Sequence, residues 1–81
     1  MECDVYKSVK RENYYLYVAA GEGLNRVPEA LLKQFGEVEK ALTFELTPER
    51  RLAREDAEQV ISNLESQGYH LQLPPADDRF R

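Results

Sequence analysis

The nine residues Gln67-Gly68-Tyr69-His70-Leu71-Gln72-Leu73-Pro74-Pro75 leave the chain few ways to arrange itself near its C-terminal end. Gly68 suits the left-handed backbone that closes a preceding helix. Tyr69, Leu71 and Leu73 then alternate with His70 and Gln72, the period of a strand buried on one side. Pro74 and Pro75 carry no N–H for a ladder, so pairing is expected to stop there. The rest of the chain is expected to be built around this strand.

Upstream, Cys3-Asp4-Val5-Tyr6-Lys7-Ser8 alternates as a strand, with Cys3 and Val5 on one face and Asp4 and Tyr6 on the other. Lys10-Arg11-Glu12-Asn13 reads as a polar turn. Tyr14 to Ala19 is apolar or aromatic on both faces, which suits a central strand and completes a hairpin. Gly21-Glu22-Gly23 breaks the pattern. Pro28 fits a first helical turn, and Val27, Leu31 and Phe35 recur at four-residue spacing beside Leu32 up to a capping Gly36. Val38, Leu42, Phe44 and Leu46 are expected on one face of the next strand, interrupted by Lys40, with Glu39, Ala41, Thr43 and Glu45 opposite. Thr47-Pro48 opens a turn or short helical piece through about Ala53.

The strongest helix signal runs from about Glu55 to Gln67. Glu55, Asp56 and Glu58 place negative charge at the positive end of the helix dipole. Ala57, Val60, Ile61 and Leu64 form the apolar stripe, which leaves Asn63 outside it. Tyr69 is expected to touch Leu64 in a Schellman cap. The order is β-β-α-β-α-β, with crossovers onto a mixed or antiparallel sheet. Tyr15 and Tyr17 argue that the second sheet face is covered; Glu39 and Glu45 argue that it is partly wet. Residues 1–75 are expected to form one domain, with 76–81 a frayed tail.

The function classes narrow by charge and composition. The longest apolar run, Tyr14 to Gly21, falls far short of the roughly 18 residues of a membrane helix. Met1-Glu2-Cys3-Asp4 is acidic and unlike a secretory signal. One cysteine makes no internal disulfide and no Cys/His set has zinc spacing, so neither metal nor cofactor is expected and the cytoplasm is the expected compartment. A net charge of −4 opposes phosphate backbones, whose binding is largely electrostatic.

Each candidate site has a plainer explanation. Gly21-Glu22-Gly23 lacks the further residues of a phosphate loop, and Glu22 would repel phosphate. Cys3 and His70 are the single thiol and imidazole, but Cys3 shares parity with Val5 as a small buried hydrophobe would. Three acids in one helical turn splay rather than converge on a metal. No catalytic residue is assigned. Lys7, Lys10 and Arg11 are the basic cluster, beside a tyrosine-rich hairpin where Tyr17 could stack a base; a solvated hairpin tip is the simpler reading. His70 and Gln72, on the polar side of the last strand, complete the candidate binding residues.

Five blocks together resemble a known family. Cys3-Asp4-Val5-Tyr6-Lys7-Ser8, Tyr15-Leu16-Tyr17-Val18, Arg26-Val27-Pro28-Glu29-Ala30-Leu31-Leu32, Phe35-Gly36 and Gly68-Tyr69-His70-Leu71-Gln72-Leu73-Pro74-Pro75 are similar to the YcgL-domain family of small bacterial proteins. The resemblance implies an α/β/α sandwich and no particular activity, and it lends RNA metabolism weight by association only. Two departures are visible: Arg54 stands where a better helix N-cap such as Asn is expected, and the C-terminal extension of longer relatives is almost absent. The expectation is a non-enzymatic binding or interaction module whose partner is a protein. The alternative is an enzyme or RNA-binding factor of RNA metabolism. A wet cleft gathering His70 with acids from two elements would favour the enzyme; a covered sheet with an exposed apolar edge would favour the module.

Overall fold

A computed structural model describes residues 1–52 and 55–73. The elements are β1 (Glu2–Ser8), β2 (Tyr15–Ala19), α1 (Glu29–Phe35), β3 (Val38–Glu45), α2 (Ala57–Ser66) and β4 (His70–Gln72). The strand order is β3-β1-β2-β4 and every neighbouring pair is antiparallel. The sheet is therefore antiparallel rather than mixed. β2 and β3 run the same way with β1 between them, so α1 bridges a split pair.

The centre of the sheet is the β1–β2 hairpin, and β4 is an edge strand of three residues. The expectation that the chain is built around the last strand is corrected. Tyr14 to Ala19 has apolar or aromatic side chains for both faces, and only such a strand suits the middle. Leu16 and Val18 point to one side, where they pack with Val27, Leu31, Leu32 and Phe35 of the α1 region. Cys3, Val5 and Tyr17 point to the other, against Ala57, Val60 and Leu64 of α2. The helices thus lie on opposite faces, giving an α/β/α sandwich. Val60 and Leu64 are buried as the helical stripe requires, whereas Ile61 is only partly so.

Helix ends follow local chemistry. Gly36 has φ +70 and donates its N–H to the Leu32 carbonyl, closing α1. Gly68 has φ +93, and its N–H reaches the Asn63 carbonyl at 3.1 Å. Tyr69 then turns towards the α1 face, not onto Leu64, which lies in the other core; the expected Schellman contact does not form. α2 starts later than expected, because Asp56 is its N-cap, accepting the Glu58 N–H at 3.0 Å. Thr47 to Arg50 is a turn closed by the Arg50 N–H on the Thr47 carbonyl. The expectations for Ala53, Arg54, the proline pair and the tail lie outside the described residues.

β3 departs most from its pattern. Val5 pairs with Leu42 but Tyr6 pairs with Lys40, so Ala41 is an extra residue, a bulge. The bulge reverses parity. Val38 therefore packs in the α1 core while Phe44 packs in the α2 core, and Leu42 stays 48% exposed. Lys40 and Thr43, three residues apart, both reach Asp4 from the same face, which a regular strand would forbid.

Candidate functional site

The expected binding residues separate into two places. Tyr17, Gln72 and His70 come together where β2 meets β4 under α2. Lys7, Lys10 and Arg11 lie at the hairpin end, and their side chains diverge. Lys7 faces Glu39 at 3.5 Å on the α2 side. The Lys10 stem runs 3.7 Å from where a Cβ on Gly36 would stand, beside the carbonyl end of α1. Arg11 lies over the Tyr14 ring, which meets Phe35 edge-on in the α1 core.

Ser8 builds that hairpin end. Its Oγ accepts the N–H groups of Lys10 and Arg11 and donates to the Phe35 carbonyl at 2.6 Å. Asn13 takes the left-handed conformation, φ +66, that the turn back into β2 requires. Between turn and sheet lies a cleft of about 390 Å³, lined by Lys7, Lys10, Glu12, Asn13, Tyr15 and Glu39 with Ser8 and Val9. Two lysines are balanced there by two glutamates, so the cleft offers no net positive field to a phosphate.

At the β2–β4 junction a chain of hydrogen bonds runs from Gln59 through Asn63 and His70 to Glu55. Asn63, on α2, meets His70 Nδ1 at 2.8 Å, and His70 Nε2 meets Glu55 at 2.6 Å. Gln59 donates to the Asn63 carbonyl oxygen at 3.0 Å, so the Asn63 amide group donates to Nδ1. That assignment puts the ring proton on Nε2, facing the Glu55 carboxylate. Asn63, outside the apolar stripe, is therefore a structural partner that helical periodicity missed.

Tyr17 donates to Gln72 Oε1 at 2.7 Å, and its ring stands edge-on to His70 at 5.6 Å. Burial first, then the charge of Glu55, pushes the Tyr17 phenol up to about 12. With 7% of its surface exposed, Tyr17 presents no face for a base to stack on. His70 is equally buried, while Tyr69 and Leu71 pack against the α1 core and Leu73 is 47% exposed, so the strand is covered on both faces rather than on the one expected. The cause is α2, which packs over β2 and β4 and supplies polar partners to His70.

Glu55, just before α2, and His70 of β4 do come together, as an acid–base pair would. Their side chains are 10% and 21% exposed, every hydrogen-bonding atom of the imidazole is occupied, and the cleft is lined by other residues. Cys3 is fully buried, and burial with Asp4 alongside pushes its thiol up to about 11, away from a reactive thiolate. Among the described residues no group of three or more His, Cys, Asp or Glu could hold a metal ion, and no helix is long and apolar enough to cross a membrane.

Comparison with known proteins agrees with the five sequence blocks. The family model for the YcgL domain matches residues 3–75. A YcgL domain-containing protein of Pseudomonas putida is 56% identical over 78 residues, covering 96% of this chain and 80% of the relative. Similar proteins of Azotobacter vinelandii and Stutzerimonas stutzeri are 54% and 53% identical over the same shares. With the sandwich in place and the matched span running from the start of β1 past β4, the chain belongs to the YcgL-domain family.

Proposed function

We propose that the protein is a non-enzymatic interaction module of the cytoplasm that engages a protein partner through the free edge of β3. The observation that carries this reading is the contrast of exposure along the sheet. Residues 39–43 of β3 are all exposed, and Leu42 leaves half of its surface in water beside them. Among the described residues β3 is an eight-residue strand with one unpaired side, a template for strand addition. The polar chemistry that could serve catalysis is tied up in the His70 network instead.

The test is affinity capture from native lysate, with and without nuclease, using the wild type and Thr43→Pro. Proline removes an edge N–H, and with it the Thr43 hydroxyl bond to Asp4, so the variant's folding is checked by circular dichroism. A polypeptide retained by the wild type after nuclease treatment and lost with Thr43→Pro is the expected result. Retention only while nucleic acid is intact would replace this reading with RNA binding.

A further inference from the structure

We infer that β3 is self-complementary, and that the partner it fits is a second copy of this chain, paired antiparallel about a two-fold axis at Thr43. This rests on the reading of β3 as the contact edge and deepens it.

The argument starts from which backbone groups face outwards. Met1 and Leu46 exchange two hydrogen bonds, Leu46 N–H to the Met1 carbonyl at 2.7 Å and the Met1 amine to the Leu46 carbonyl at 3.0 Å. Antiparallel ladders alternate between bonded and non-bonded pairs. Phe44 and Leu42 therefore turn their N–H and C=O towards β1, and Glu45 and Thr43 turn theirs outwards. On the other side of the bulge, the Val9 N–H bonds the Glu37 carbonyl at 2.8 Å, so by the same alternation Val38 and Lys40 face outwards.

The outward residues then match their own copies. With Thr43 opposite the second Thr43, Leu42 stands opposite Phe44 of the other copy. Ala41 is looped out by the bulge, and Lys40 falls opposite Glu45. Every pair joins side chains of one sheet face, and the outward-facing residues meet as hydrogen-bonded pairs. Thr–Thr, apolar–aromatic and opposite-charge pairs are each favourable across strands. The bulge is what creates this register, since without it Ala41 would meet Glu45 and Lys40 would have no acid. A contact of this kind is isologous and closes at two copies. Bulges and charges ordinarily protect an edge from strangers; here they also bear on register, since centring on Lys40 would oppose Lys to Lys and centring on Glu45 would oppose Glu to Glu.

The experiment is sedimentation equilibrium of the full chain over about a hundredfold range of concentration. The wild type is expected to shift from monomer to dimer. Lys40→Glu and Glu45→Lys should each weaken the dimer about tenfold or more, and the double reversal should restore it. Lys40 also bridges Asp4, at 3.6 Å, and Glu45 the N-terminus, at 2.7 Å, so each variant is checked for folding by circular dichroism. Thr43→Pro removes the hydroxyl that donates to buried Asp4, so it is checked for folding in the same way, and it should abolish the dimer independently of the charge pair. A monomer at every concentration, or a dimer that ignores both the reversals and the proline, overturns the inference. Were the chain monomeric while Thr43→Pro still abolished capture of another polypeptide, self-pairing would fall and the interaction reading would stand.

Discussion

The two edges of the sheet are built in opposite ways. β4 has three residues, and side chains fasten it: His70 to Asn63 and Glu55, Gln72 to Tyr17. β3 has eight residues and is held to β1 mainly by backbone pairing, with its middle in water. One edge is sealed by chemistry that cannot be removed without leaving buried groups unpaired. The other carries a half-exposed leucine and exposed charged side chains, of which Lys40 also reaches buried Asp4. Residues that maintain the structure and residues available for contact are thus sorted to opposite ends of the sheet.

The largest break in this contrast should come from the α2 core beneath the β4 edge. Leu64 is 2% exposed, and Leu64→Ala is expected to cost about 2–5 kcal/mol, read from the urea midpoint. Next is the network itself. His70→Ala leaves Glu55 and the Asn63 amide without their partner, a loss of about 1–3 kcal/mol. A neutral result would mean that water replaces the imidazole and that β4 is not fastened in this way.

Alkali sharpens the same point. The Tyr17 phenol is raised from 10.0 to about 12 in the folded chain, so the unfolded chain ionises first as pH rises. The stability it contributes is complete below pH 10 and lost as pH climbs towards 12. By pH 11 the loss should be about 1 kcal/mol, and Tyr17→Phe should remove that slope between pH 10 and 12 from the unfolding curves. Gly68→Ala should cost roughly 1 kcal/mol or more, because φ is +93 and the new Cβ would meet the Arg26 side chain at 2.5 Å. The Arg26 Cβ, held by its backbone, would lie 2.7 Å away, so a clash adds to the backbone strain. Smallest is Leu42→Ala on the other edge, expected within about 0.5 kcal/mol in thermal unfolding at low concentration.

The same contrast explains what could be read in advance. Elements with regular periodicity were legible: the hairpin, the α1 stripe up to Gly36, and Val60 with Leu64. So was the family, through blocks spread along the chain. The bulge was not, because Ala41 looks like any small residue in a strand until its neighbours are paired with β1. Parity then failed for Val38 against Leu42 and Phe44. Nor was the burial of His70 legible. It depends on Glu55 lying outside the helix and Asn63 reaching across from it, two tertiary contacts that no local pattern encodes. The basic cluster was legible as composition but not as a site, since Lys7, Lys10 and Arg11 are drawn to three different partners.

Backbone amide hydrogen exchange, followed residue by residue at low and high protein concentration, tests the division between the two edges most directly. At low concentration the amides of Leu42 and Phe44, which face β1, should exchange slowly, and those of Lys40, Thr43 and Glu45, which face out, should exchange fast. Raising the concentration should slow the outward three and leave Leu71 and the other β4 amides unchanged. Protection that is uniform along β3 at low concentration, or a concentration response in β4 rather than β3, would contradict it.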